Sequence, residues 1–206
     1  MQKTVYMYVF DTMADWETGY LTAELNTGRF FKKGLSPLKV KTFGIEKLPV
    51  TTMGGIKILP EHSLEECVMK EAAALILPGG LTWMESFHDP VLETAEKWME
   101  EGITVGAICG ATIALAAKGL LNLKIHTSND LEYLKKTCPE YTGEKYYVNE
   151  PAATGGNLVT ASGDAPLEFA AHMIKQLDVF SPQTIDAWLG LNQTHDAKFF
   201  FELMNA

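Results

Sequence analysis

A chain of 206 residues, 47% hydrophobic and 21% charged, has the composition of an ordinary globular protein and the length for one well-buried domain. Its net charge of −9, without any Lys/Arg cluster, argues against nucleic acid or an anionic membrane as a partner, because either needs a basic patch to gather phosphates. Three cysteines, Cys67, Cys109 and Cys138, stand at wide and irregular spacing. They offer neither a disulfide framework nor a paired metal site, so reduced thiols, no metal and no cofactor are expected.

In chain order, the first four residues run directly into an apolar strand-like stretch over residues 5–10. No secretory core and no apolar run of about 18 or more residues is present, which reads as a cytoplasmic protein. Residues 16–26 are expected to be helical, with Trp16 as the buried anchor. A strand over 38–43 alternates in Leu38-Lys39-Val40-Lys41, which suggests a half-exposed place near a sheet edge. Met53-Gly54-Gly55 lies between short β-prone pieces and reads as a hairpin or bulge; no GKS or GKT follows to make it a phosphate loop. Residues 73–77 form an apolar strand. Val91, Leu92, Ala95, Trp98 and Met99 then share one face of a helix, opposite Glu93, Glu96, Lys97 and Glu100.

The next strand, 103–108, stops at Cys109 and is followed by Gly110, Ala111 and Thr112. A strand turning sharply into a helix strains its corner residue and pushes that side chain out at the helix N-terminus, where the dipole favours a thiolate. The competing reading is that Cys109 is one more small core residue. Residues 111–121 are apolar all round, so that helix should be buried, and Gly119 helps to end it. A strand at 158–161 precedes a helix opened by Pro166 and patterned by Leu167, Ala170, Ile174 and Leu177. Alternating strands and helices imply an α/β fold, a doubly wound and mostly parallel sheet sandwiched by helices, with ligands at the carboxyl ends of the strands. The expected organisation is one α/β domain over residues 1–180 and a helical extension over 181–206. That extension is expected to cap the parent fold or, through Trp188 or residues 199–201, to touch another subunit.

Taken together, Ala107-Ile108-Cys109-Gly110, the upstream Leu75-Ile76-Leu77-Pro78-Gly79-Gly80, Asp15-Trp16-Glu17 and Gly119-Leu120-Leu121 leading to His126-Thr127 resemble the ThiJ/PfpI superfamily. The likeness runs over residues 4–178 and continues through residues 157–168. It implies a flavodoxin-like fold akin to class I glutamine amidotransferases and a homodimer or higher homo-oligomer. It also implies a reactive Cys109 touched by the carboxylate of Glu17, an oxyanion pocket from the amides of Gly79, Gly80 and Gly110, and a histidine at His126 able to face the thiol. Asp11 and Asp15 compete with Glu17 for the carboxylate role.

One departure bears on the chemistry. Hydrolytic members of the superfamily carry a histidine directly after the elbow cysteine, and this chain has Gly110 there. Amide cleavage must protonate a poor leaving group, whereas addition of a thiolate to a carbonyl need not. The resemblance therefore implies a glyoxalase- or deglycase-like enzyme acting on small reactive carbonyls. The alternatives are a cysteine peptidase, with a peptide substrate and His126 as base, and a redox-sensing or chaperone-like stress protein. A glutamine amidotransferase fits poorly, since no His-x-Glu follows the elbow. Trp83, Met84, His88 and the C-terminal unit are expected to set the pocket's size.

Overall fold

The computed structural model describes residues 3–205; the first two residues of the expected α/β domain and the last of the helical extension lie outside them. A seven-stranded sheet forms its centre. It is built from β1 (Thr4–Tyr8), β2 (Lys39–Gly44), β5 (His62–Ser63), β6 (Ala72–Leu77), β7 (Thr104–Ile108), β8 (Ala152–Gly155) and β9 (Leu158–Ala161) in the order β5-β2-β1-β6-β7-β9-β8. All pairings are parallel except β8 with β9. The chain winds outward from β1 to β2 and β5, then crosses back to β6 on the other side of β1. The β1/β6 junction is thus the point where the winding reverses and a crevice opens at the strand ends.

Both faces of this sheet are covered, which is why β1, β6, β7 and β9 read as near-continuous apolar runs. Tyr6, Leu75 and Val105 are register partners on one face, where Trp98 of α2 (Asp89–Glu100) packs edge-on against Tyr6 at 5.6 Å between ring centroids. Gly106 points to the other face. There Phe169 and Met173 of α5 (Pro166–Gln176) fill the space that a side chain at Gly106 would need. The alternation in β2 has its expected cause: among the described residues the strand outside it is the two-residue β5, which pairs with Phe43 and Gly44 and leaves Lys39–Lys41 without a strand partner on that side.

The expected turn at Met53-Gly54-Gly55 joins β3 (Val50–Thr51) to β4 (Lys57–Ile58) in an antiparallel hairpin. Helix α1 (Gly19–Thr27) starts later than the sequence suggests, and Trp16 precedes it with half its surface, 52%, exposed, so it is not the buried anchor. Leu21 and Leu25 take that part. The apolar helix after the elbow, α3 (Gly110–Ala117), is buried as expected, and Gly119 closes its end at φ 74°. The short α4 (Leu131–Thr137) was not patterned strongly enough to be read; Asp130 caps it by accepting the Tyr133 N–H at 2.7 Å.

Beyond α5 come α6 (Pro182–Thr194) and α7 (Ala197–Met204). Trp188 of α6 is buried against α1, which removes it as a candidate subunit contact, whereas Phe200, Phe201 and Met204 of α7 remain exposed. Among the described residues no helix is long and apolar enough to cross a membrane.

Candidate active site

β7 ends at Ile108, and Cys109 turns the chain with φ 59° and ψ −123°, a region that a residue with a β-carbon occupies only under strain. The surroundings hold it there. Its N–H donates to Ala161 O at 3.0 Å, and its carbonyl accepts from the Thr112 N–H at 3.1 Å and the Thr112 hydroxyl at 2.6 Å. The sulfur consequently projects at the start of α3, beside the reversal point of the sheet.

Glu17 arrives from the loop after β1 and is fully buried, at 0% exposure. Its Oε2 accepts the Gly79 N–H at 2.5 Å, while Oε1 has no hydrogen bond of ordinary geometry and faces the Cys109 sulfur. Two glycines make this proximity possible. A β-carbon at Gly79 would stand 2.6 Å from both Cys109 Cβ and Glu17 Oε1, and one at Gly163 would stand 2.7 Å from the sulfur. Gly110 is equally constrained, because a β-carbon there would lie 2.8 Å from Gly80 O and 3.1 Å from the Trp83 ring. The position after the elbow is filled by its neighbours and has no room for an imidazole.

Burial pushes the Glu17 carboxyl up to about 7, with the Gly79 N–H and the Cys109 thiol pulling it partly back. Cys109 is also raised. Burial is the larger cause, the Asn129 amide lowers it, the Glu17 charge raises it, and the Gly110 N–H lowers it. The elbow alone implied a lowered thiol; desolvation and the adjacent carboxylate outweigh the helix terminus. Cys67 and Cys138 are raised too, Cys67 to about 12, by burial above all. What distinguishes Cys109 from them is the fully buried carboxyl of Glu17 beside it.

Several sequence expectations need correction. Gly79 does not offer its N–H to an oxyanion, since that N–H is held by Glu17; the Gly80 N–H has no acceptor among the described residues, and the Gly110 N–H faces the sulfur. His126 is buried away from the thiol. Its Nδ1–H donates to Lys124 O at 2.7 Å, its Nε2 accepts from the Tyr141 hydroxyl at 2.6 Å, and burial lowers its pKa, so it is a neutral, fully engaged core histidine. Asp11 and Asp15, the rivals of Glu17, instead hold the hairpin by accepting from the N–H groups of Thr51 at 2.7 Å and Gly54 at 2.6 Å.

One residue escaped the sequence reading. Asn129 donates from Nδ2 to the Cys109 sulfur at 3.4 Å and accepts the Gly163 N–H at 2.8 Å, tying two loops across the thiol. Trp16 closes the same corner by donating its indole N–H to Gly163 O at 3.1 Å. Asn129 follows His126 in the same segment, and its place in a Ser-Asn-Asp loop was the available signal. Among the described residues no group of three or more His, Cys, Asp or Glu side chains is arranged to hold a metal ion.

A parallel α/β sheet with a strained cysteine at a strand-to-helix elbow, backed by a buried glutamate, defines a class of protein. The chain belongs to the DJ-1/PfpI family, whose model matches residues 3–176. It is 52% identical over 203 residues, 98% of this chain and 97% of the relative, to a Bacillus subtilis (strain 168) protein named uncharacterized protease YoaZ. A second protein of that strain, uncharacterized protease YdeA, is 31% identical over 196 residues, 94% of this chain and 92% of the relative. The crystal structure of a thiJ/pfpI family protein from Bacillus anthracis is similar with a TM-score of 0.96 and 54% identity, covering 100% of this chain and 97% of that one.

Proposed function

We propose that this protein is a cysteine-dependent enzyme acting on small reactive carbonyls such as methylglyoxal. The observation that carries the reading is Glu17: a fully buried carboxyl raised to about 7, one oxygen fixed by Gly79 and the other facing the sulfur. Such a group can give and take a proton near neutrality. In the productive form the proton that the pair shares sits on Glu17 and Cys109 is a thiolate. The sulfur adds to the aldehyde carbon, and Glu17 protonates the resulting alkoxide to give a hemithioacetal. Glu17, now a carboxylate, removes the C1 proton and returns it to C2, while the C1 hydroxyl proton passes to the C2 oxygen. The aldehyde carbon is oxidised to a thioester while the ketone carbon is reduced to an alcohol, so no external oxidant is needed. Water then cleaves the thioester, releasing a 2-hydroxy acid and restoring the proton to the pair. The free Gly80 N–H supports the oxyanion.

A peptidase is the second reading, and the names of the two Bacillus subtilis relatives favour it. Against it, both nitrogens of His126 are engaged elsewhere and Gly110 leaves no imidazole after the thiol. The test compares wild type, Cys109→Ser, Glu17→Gln and His126→Ala on methylglyoxal and on casein. Carbonyl turnover lost in the first two variants and retained in the third supports the proposal. Casein cleavage lost in Cys109→Ser would replace it with the peptidase. No turnover of either substrate, with peroxide-dependent sulfinate at Cys109, would replace it with a redox sensor.

A further inference from the structure

The loop that supplies Gly79 and Gly80 is tied down from outside the site. The Trp83 indole N–H donates to Pro78 O at 2.8 Å, Leu81 N–H donates to the Thr12 hydroxyl at 3.1 Å, and Gly79 O accepts from Ala14 N–H at 2.9 Å. The remaining tie is an imidazole. His88, fully buried at the start of α2, lies 3.0 Å through Nε2 from the Thr82 hydroxyl and 3.0 Å through Nδ1 from the Tyr8 hydroxyl. Its ring stacks on Trp83, with centroids 4.6 Å apart, and meets Phe10 edge-on at 4.8 Å. Phe10 in turn fills the space beside Gly80, and Trp83 the space beside Gly110.

A neutral imidazole suits this bridge, because one nitrogen accepts and the other donates. Burial keeps the ring neutral by pushing its pKa down to about 4. A buried histidine with both nitrogens engaged is usually only structural, but here, apart from its chain neighbour Phe87, the rings and hydroxyls it meets belong to the Gly79–Gly80 loop or to the strand end beneath it. We propose that His88 is a positioning residue: through Thr82 and Trp83 it fixes residues 78–83 so that the Gly79 N–H stays on Glu17 and the Gly80 backbone stays against Gly110. His88 itself touches no reacting atom. The inference deepens the reading of the same site, yet it can be tested without any substrate.

The direction of the effect follows from the shared proton. The Gly79 N–H stabilises the ionised form of Glu17. If the loop loosens, Glu17 holds its proton more tightly, less carboxylate charge opposes the thiolate, and Cys109 ionises at lower pH. Thr82→Val removes the hydroxyl from the bridge while nearly keeping the shape, and Thr82→Ser keeps the hydroxyl. Tyr8→Phe cuts the other end, and His88→Gln removes the ring.

The experiment measures the rate of Cys109 alkylation by iodoacetamide against pH, with Cys67 and Cys138 replaced by alanine throughout. Circular dichroism confirms that each variant is folded. In Thr82→Val the midpoint should fall by about half a pH unit or more, and Thr82→Ser should restore the wild-type profile. Ile174→Val, a core change away from the loop, serves as the control for lost stability and should leave the midpoint in place. An unmoved or raised midpoint in Thr82→Val, or an equal shift in the Ile174→Val control, would overturn the proposal. Because alkylation needs no carbonyl substrate, a protein that fails to turn over methylglyoxal but shows the restored profile would retain the positioning role and lose only the reaction assigned above.

Discussion

Two buried glutamates on the same stretch of chain, Glu17 and Glu24, have opposite uses. Glu24 lies within α1 at 2% exposure, and both its oxygens are occupied: Oε1 accepts the Trp188 indole N–H at 3.0 Å and an N–H of Arg29, and Oε2 accepts from Arg29 Nε at 2.9 Å. That arrangement ties α1 to α6 and settles the C-terminal helices against the sheet domain. Glu17 is as deeply buried but has one strong donor and an oxygen turned to a sulfur. Matched acceptor sites make Glu24 a structural clamp; full burial with one site left open beside a thiol raises the Glu17 carboxyl to about 7, where it can do chemistry.

The sharpest way to break this comparison is to neutralise Glu17. Glu17→Gln keeps an oxygen able to accept the Gly79 N–H but removes the exchangeable proton. Carbonyl turnover should fall by about 10²- to 10⁴-fold while the fold persists. Equal turnover by wild type and Glu17→Gln, under conditions where Cys109→Ser is inactive, would remove Glu17 from the chemistry. Arg29→Ala, acting on the other glutamate, should leave turnover by the folded protein within about twofold of wild type, because Arg29 touches no part of the site.

A pH experiment extends the contrast to stability. The Glu17 carboxyl rises from an ordinary value of 4.5 in the open chain to about 7 in the fold, so between those values the folded state binds more protons than the unfolded one. Stability from this group is therefore fully present below 4.5 and is lost as pH climbs through 7. Relative to Glu17→Gln, wild type should lose about 3 kcal/mol of unfolding free energy over that interval, read from urea melts at a series of pH values. Parallel curves for the two proteins would show that Glu17 titrates normally and is not desolvated.

Much of this architecture was legible because strands covered on both faces must be apolar and a sharp elbow must be followed by small residues. Residues 5–10, 73–77, 103–108 and 158–161 each contain a strand, and Cys109 stands at the strained corner that its sequence context implied. Glu17 was legible through its Asp-Trp-Glu motif, whereas Trp16, expected as the buried anchor of the helix, lies half exposed and bonds to Gly163 O. The failures share a physical cause. Whether Asn129 or His126 reaches the sulfur depends on how the segment between α3 and α4 folds back over the thiol, and no local periodicity encodes that. The direction of the Cys109 shift depends on desolvation, a property of the assembled site that no helix-terminus argument contains.

The smaller effects lie on the structural side. Arg29 is 59% exposed at its side chain, so solvent screens much of its charge, and Arg29→Ala should cost about 1–3 kcal/mol, below the full penalty for orphaning a buried ion. Trp188→Phe keeps most of the ring's packing and removes only the N–H that reaches Glu24. It should cost about 1 kcal/mol, the net worth of one intramolecular hydrogen bond. Because both changes act on the same carboxylate, their costs should not add: once Arg29 is gone, Glu24 leans more heavily on the indole, and Trp188→Phe should cost more in that background than in wild type. Urea melts of the two single variants and the double variant measure the difference. Strict additivity would mean that Arg29 and Trp188 hold α1 and α6 independently, and that Glu24 is not the shared joint that its geometry describes.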